Sequence, residues 1–129
     1  MDEPEKIWLE SVGVSIERDP EHDAAGINDD WPTGRGVFIH DLKEFVVLVN
    51  FEDHVEIVIL PQQPKDTQRV TERDSVVQGL ERLLKLISTF DKLGYSNDPY
   101  LGNLTVSPKN IGTSLVLQAD LKLQECLVS

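Results

Sequence analysis

The stretch "VNFEDHVEI", residues 49–57, sets Glu52, Asp53 and His54 side by side and adds Glu56 two residues on. Carboxylates at that density can grip a cation or exchange a proton, and with an imidazole they can ligate a metal. A set of Glu52, Asp53, His54 and His40 has the donor types of a metal site. Its spacing argues against one, because neighbours on a strand point to opposite faces, and no metal site is expected. Other signatures are missing: "TGRG" lacks the Lys-Ser/Thr of a phosphate-binding loop, and no Gly-x-Ser-x-Gly or Cys/His pair supports hydrolysis.

The elements that must position those carboxylates are legible as alternation. Residues 1–30 are the least periodic; Val12, Val14 and Ile16 predict a possible edge strand, and "ERDPEHDAAGINDD" reads as a loop. Three strand-like segments follow closely, at 35–40, 44–50 and 55–60, with connections short enough for an antiparallel meander. "EFVVLVN" is apolar on both faces and belongs in the middle of the sheet. Pro61 and Pro64 close the meander. Val76, Val77, Leu80, Leu83, Leu84 and Ile87 then recur at helical spacing, predicting a helix over residues 67–93 that ends at Gly94. Two further strands are predicted, near 100–107 and 113–123. The order β-β-β-α-β-β predicts an α+β domain, an antiparallel β-sheet of about five strands with one long helix packed on one face through Leu80, Leu83, Leu84 and Ile87.

Charge narrows the function classes. With 129 residues and 40% hydrophobic content the chain suits one domain with a core. A formal net charge of −11 opposes both nucleic acid and anionic membrane surfaces, so neither is expected as a partner. The apolar runs fall far short of the roughly 20 residues of a membrane span. The single cysteine, Cys126, excludes an intrachain disulfide and fits a cytoplasmic location.

"DWPTGRGVFIHDLKEFVVLVNFEDHVEI" resembles the phosphagen (guanidino) kinases, the creatine and arginine kinase family, whose pattern there is close to DWP-x-x-RG followed by V-N-E-E-D-H-L-R. "LGNLTVSPKNIGTSLVLQADLKL" is similar to the family's second pattern, LG-x-L-T-C-P-S-N-L-G-T and the strand after it. The resemblance covers about residues 29–123. It implies the large C-terminal catalytic domain, a fold of the phosphagen kinase and glutamine synthetase type, here partial. Residues 1–28 read as an extension, 29–125 as the kinase-like domain and 126–129 as a tail.

Carried over by position, the resemblance makes Glu52 the carboxylate that holds the guanidinium and is a candidate base. It makes Ser107, in place of the reactive cysteine, and Asn110 substrate-binding positions. Four positions depart from the pattern: Phe51 replaces the first Glu of the motif, Glu56 and Val116 replace phosphate-binding arginines, and Asp120 replaces a histidine. Exchanging an Arg for a Glu about 4 Å from a phosphate, at an effective dielectric near 20, swings roughly 8 kcal/mol against binding before screening. The resulting expectation is a degenerate, non-catalytic domain with no cofactor, a vestigial Glu52, and a role as a structural or interaction module for a protein partner. In that reading Asn50, Asp53 and His54 bond neighbouring backbone in a tight turn. The alternative is a fragment of an ATP:guanidino phosphotransferase, using Mg-ATP, completed by segments outside this chain.

Overall fold

The structure, a computed structural model, describes residues 3–60 and 72–118. Strands β1 (Gly36–Ile39), β2 (Phe45–Val49) and β3 (Val55–Ile59) form an antiparallel sheet in the order β1-β2-β3, so the segment apolar on both faces is the central strand. Val46 sits opposite Val58 and Leu48 opposite Glu56, while Phe45 sits opposite Ile59 and Val47 opposite Ile57. A slip of one residue would exchange the two faces. The β2–β3 turn is entered through Asn50 at φ 60°, a left-handed conformation that Asn tolerates better than most residues. The Asn50 backbone N–H donates to the His54 carbonyl at 3.1 Å, and its side-chain amide donates to the Gly34 carbonyl at 2.9 Å.

The face carrying Val46 and Leu48 joins Leu9, Val14 and Leu60 in a buried cluster, with Trp8, Ile16, Val37, Ile39, Phe51 and Val58 packed around it. Leu9 belongs to a helix, α1 (Glu3–Ser11), whose first turn carries Glu3 and Glu5, suited to the positive end of the helix dipole. It ends in a left-handed turn at Gly13, with the Val14 N–H donating to the Leu9 carbonyl at 2.9 Å. This corrects the edge strand predicted at Val12, Val14 and Ile16. No ladder forms there; the alternation instead sets Val14 and Ile16 against the cluster. Each fully buried aliphatic side chain contributes about 1.5–3 kcal/mol.

Helix α2 (Glu72–Phe90) lies against β3: a Cβ added at Gly79 would sit 3.4 Å from Ile59 Cγ2. The start predicted near residue 67 lies outside the described residues. Leu83 and Ile87 are half-buried, but Leu80 is 47% and Leu84 59% exposed, so α2 shelters its sheet face only in part. After a 3₁₀ turn (Asp91–Leu93) come two two-residue strands, β4 (Asn97–Asp98) and β5 (Gly102–Asn103), paired with each other and not with the main sheet. Asp98 Oδ1 accepts from the backbone N–H groups of Tyr100 and Leu101 at 2.8 and 3.0 Å, building a turn where a strand was predicted. Gly102, at φ 77°, permits a close approach: a Cβ there would lie 2.7 Å from the Gly112 carbonyl oxygen. Residues 113–118 form no strand, and 119–123 lie outside the described residues.

The architecture is α+β, an antiparallel sheet with α2 on one face and α1 on the other. Among the described residues the main sheet has three strands where about five were expected, part of the last predicted strand lying outside those residues. Among the described residues no helix is long and apolar enough to cross a membrane.

Candidate functional site

Residues 51–54 are the turn between β2 and β3 rather than strand, so Glu52 and Asp53 are not forced to opposite faces. Both reach the loop Val106–Asn110. Asp53 Oδ1 accepts from the backbone N–H groups of Val106 (2.6 Å) and Ser107 (3.3 Å), and Oδ2 accepts from the Asn110 side-chain amide at 2.8 Å. The Asn110 amide also lies 3.4 Å from Glu52 Oε1, and the Lys109 ammonium lies 2.8 Å from the same oxygen. Asp53 therefore clamps a loop more than fifty residues away, where the sequence suggested bonds to neighbouring backbone. The loop's short 3₁₀ turn (Pro108–Asn110) holds Lys109 and Asn110 next to each other in front of Glu52.

Glu52 lines a cleft of about 300 Å³ between the sheet and the N-terminal segment. Carboxylates of Glu17, Asp19, Glu52 and Glu56 line it, and Trp31, Leu48, Phe51 and Val58 supply apolar wall. Trp31 and Phe51 meet edge to face, with ring centroids 5.9 Å apart. Arg35 stands over the Trp31 ring at 5.3 Å and donates to the carbonyls of Thr33 and Ile27, so its guanidinium braces the "DWPTGRG" segment. The Glu56 carboxyl is pushed above the usual carboxylate value of 4.5, first by the protein crowded around it and then by Glu52 and Asp53, with Lys109 acting the other way. Glu56 is nonetheless exposed on the edge of the cleft, which moderates the effect of that crowding.

The structure thus sets Asn110 beside Glu52 and ties Ser107 to the neighbouring Asp53 through its backbone N–H, while Phe51 and Glu56 line the cleft with Glu52. Val116 is 73% exposed and lies outside that group; Asp120 lies outside the described residues. His54 is exposed in the turn, and His40 stacks on Phe45 at 4.5 Å near Glu44. Among the described residues no three or more His, Cys, Asp or Glu side chains are grouped to hold a metal. Sequence reasoning missed Lys109, Glu17, Asp19 and Gln118. Lys109 was discoverable, because it stands where the family pattern has Ser, whereas Glu17 and Asp19 sit in a stretch with no pattern to place them.

A carboxylate turn is locked onto a Pro-x-Asn loop on an antiparallel sheet flanked by helices, and the two segments so joined are those whose sequences resemble the guanidino kinases. The sequence matches the ATP:guanido phosphotransferase C-terminal catalytic domain over residues 2–126, and the chain belongs to that family. It is 42% identical over 100 residues to the arginine kinase of Liolophura japonica, covering 78% of this chain and 26% of that protein. Against the taurocyamine kinase of Schistosoma mansoni it is 36% identical over 100 residues, covering 77% of this chain and 12% of that protein. Among solved structures it is similar to the duplicated taurocyamine kinase from Schistosoma mansoni with bound transition state analog components. The TM-score is 0.71 at 29% identity, over 88% of this chain and 15% of that one. The chain spans about a quarter or less of these relatives' length.

These findings overturn the non-catalytic interaction module expected from the four substitutions. The match is to the catalytic domain itself, at 42% identity to an arginine kinase, and it favours a fragment of a phosphagen kinase catalytic domain.

Proposed function

We propose that this chain is part of an ATP:guanidino phosphotransferase and supplies the guanidino-binding side of its catalytic centre, the remainder coming from segments outside residues 1–129. The observation that carries this is the cleft in which Glu52, steadied by Asn110, faces a space lined by three further carboxylates. A guanidinium is planar, permanently charged and matched to carboxylate oxygens two at a time, and it is less strongly hydrated than an ammonium. Trp31 and Phe51 add aromatic surface that suits such a cation. Glu52 would hold and orient the guanidino group, and positioning is a large part of catalysis in phosphoryl transfer.

Mg-ATP does not fit the cleft as this chain builds it. Glu17, Asp19, Glu52 and Glu56 would face the phosphates with like charge, and Val116 offers no counter-charge. The nucleotide clamp is assigned to the segments outside this chain. A cytoplasmic setting belongs to the same reading, on the strength of a single cysteine in 129 residues, and the −11 charge works against nucleic acid or anionic membranes as partners.

The test is a titration of the full chain with arginine, taurocyamine and Mg-ATP, followed by NMR. Arginine or taurocyamine should shift signals of Glu52 and Asn110 saturably at millimolar ligand, and Glu52→Gln should weaken that binding about tenfold through loss of a charge-assisted contact. Saturable ATP binding without guanidino binding would sink the proposal.

A further inference from the structure

The Glu52 carboxylate already has a cation. Lys109 Nζ lies 2.8 Å from Glu52 Oε1, from a position where the family pattern carries Ser, whose hydroxyl brings no charge. We propose that Lys109 is a built-in competitor that sets the affinity of the guanidino site: its ammonium occupies Glu52 in the free chain, and a ligand binds by displacing it. The inference rests on the guanidino reading given above.

The geometry lets Lys109 act as a plug that can be withdrawn. Its backbone is fixed, because Pro108–Asn110 form a 3₁₀ turn whose flanks, Ser107 and Asn110, are both held by Asp53. Its side chain is not: it is 69% exposed, against 24% for Glu52. The carboxylate is thus the sheltered partner and the ammonium the mobile one. An ion pair this exposed is weak, so displacement costs only a small factor in affinity. At neutral pH the lysine stays charged, since the hydrogen bond and charge of Glu52 raise its pKa, Asp19 and Glu56 adding to this and partial desolvation opposing it.

The consequence is a threshold on affinity that every ligand must cross. An ammonium meets a carboxylate as a point charge, whereas a guanidinium presents a planar fork to both oxygens. An incoming amine exchanges one ammonium for another and gains little. An incoming guanidinium replaces a point contact with a two-pronged one. Displacing Lys109 costs both head groups the same factor, so the preference for a guanidinium stays as Glu52 sets it, while an amine, whose contact is no better than that of Lys109, falls below detectable binding first.

The experiment compares the full chain with K109S and K109R, each titrated with L-arginine and with L-lysine by NMR, with thermal unfolding confirming that the exposed substitutions leave the fold intact. K109S should bind arginine and lysine each about two- to fivefold tighter than the unmodified chain, with the ratio of the two affinities unchanged. K109R, which turns the plug itself into a fork, should bind arginine more weakly than the unmodified chain. Unchanged or weaker arginine binding by K109S, with binding by the unmodified chain intact, overturns the role of Lys109 and leaves the guanidino site standing. No arginine binding by any of the three overturns the site and the role of Lys109 with it.

Discussion

Residues 3–60 and residues 72–118 hold themselves together by different means. Among the described residues every buried side chain, from Leu9 to Leu60, belongs to the first segment. The second buries none and exposes Val76, Val77, Leu80, Leu84, Leu115, Val116 and Leu117. The first segment is a small core closed by α1 and the sheet. The second is tied to it by the contact of α2 with β3 and by polar contacts from the β2–β3 turn. The candidate site lies on the seam, so its shape depends on a few hydrogen bonds more than on packing.

The widest contrast to test is between two leucines. Leu48→Ala, at a side chain only 2% exposed in the closed segment, should cost about 2–5 kcal/mol through lost burial and a residual cavity. Leu84→Ala, at 59% exposure in the open one, should cost under about 1 kcal/mol. Urea midpoints of the two variants make the comparison, and equal losses would mean that α2 is as much a part of the core as β2.

Asp53→Ala probes the seam. It strands the backbone N–H groups of Val106 and Ser107 and releases Asn110, with an expected cost of about 1–3 kcal/mol. Amide exchange should speed up at residues 106–110 while the sheet amides stay protected. Uniform acceleration would show that the two segments unfold as one unit.

The smallest effect is electrostatic. Glu56 has a raised pKa, so the folded chain holds more proton than the unfolded one as pH climbs above 4.5, and this group makes stability fall with rising pH through that window. Glu56→Gln should flatten the slope and leave the chain slightly more stable at neutral pH, measured by urea midpoints across the acid range. A steeper slope in the variant would count against the crowding described around Glu56.

The meander was legible because its signal is local. "VFI", "FVVLV" and "VEIVI" are β-branched, closely spaced and bounded by turns, and they became β1, β2 and β3 within a residue of their predicted ends. Helix α2 was legible from its apolar stripe, although the stripe did not reveal that Leu80 and Leu84 would stay half-open. Helix α1 was missed because only Leu9 of its nine residues is buried, too few to show a helical period, and the valines after it alternate by chance of a loop crossing the core. The site was half legible. The motif carried Glu52 and Asn110, but the target of Asp53 lies more than fifty residues away, where no local pattern can show it.

That distance also bears on the order of events in folding. Hairpin β2–β3 closes over a handful of residues, whereas the contacts of Asp53 with Val106, Ser107 and Asn110 span 53, 54 and 57 residues and wait for a loop of that length to close. Contacts of this kind are made after the rate-limiting barrier is crossed when the nucleus is local. With such a nucleus, removing them is expected to leave the speed of folding nearly unchanged and to hasten unfolding. Asp53 is then a latch on the lifetime of the assembled site: the sheet can be long formed while the site exists only as long as one carboxylate keeps hold of a distant loop.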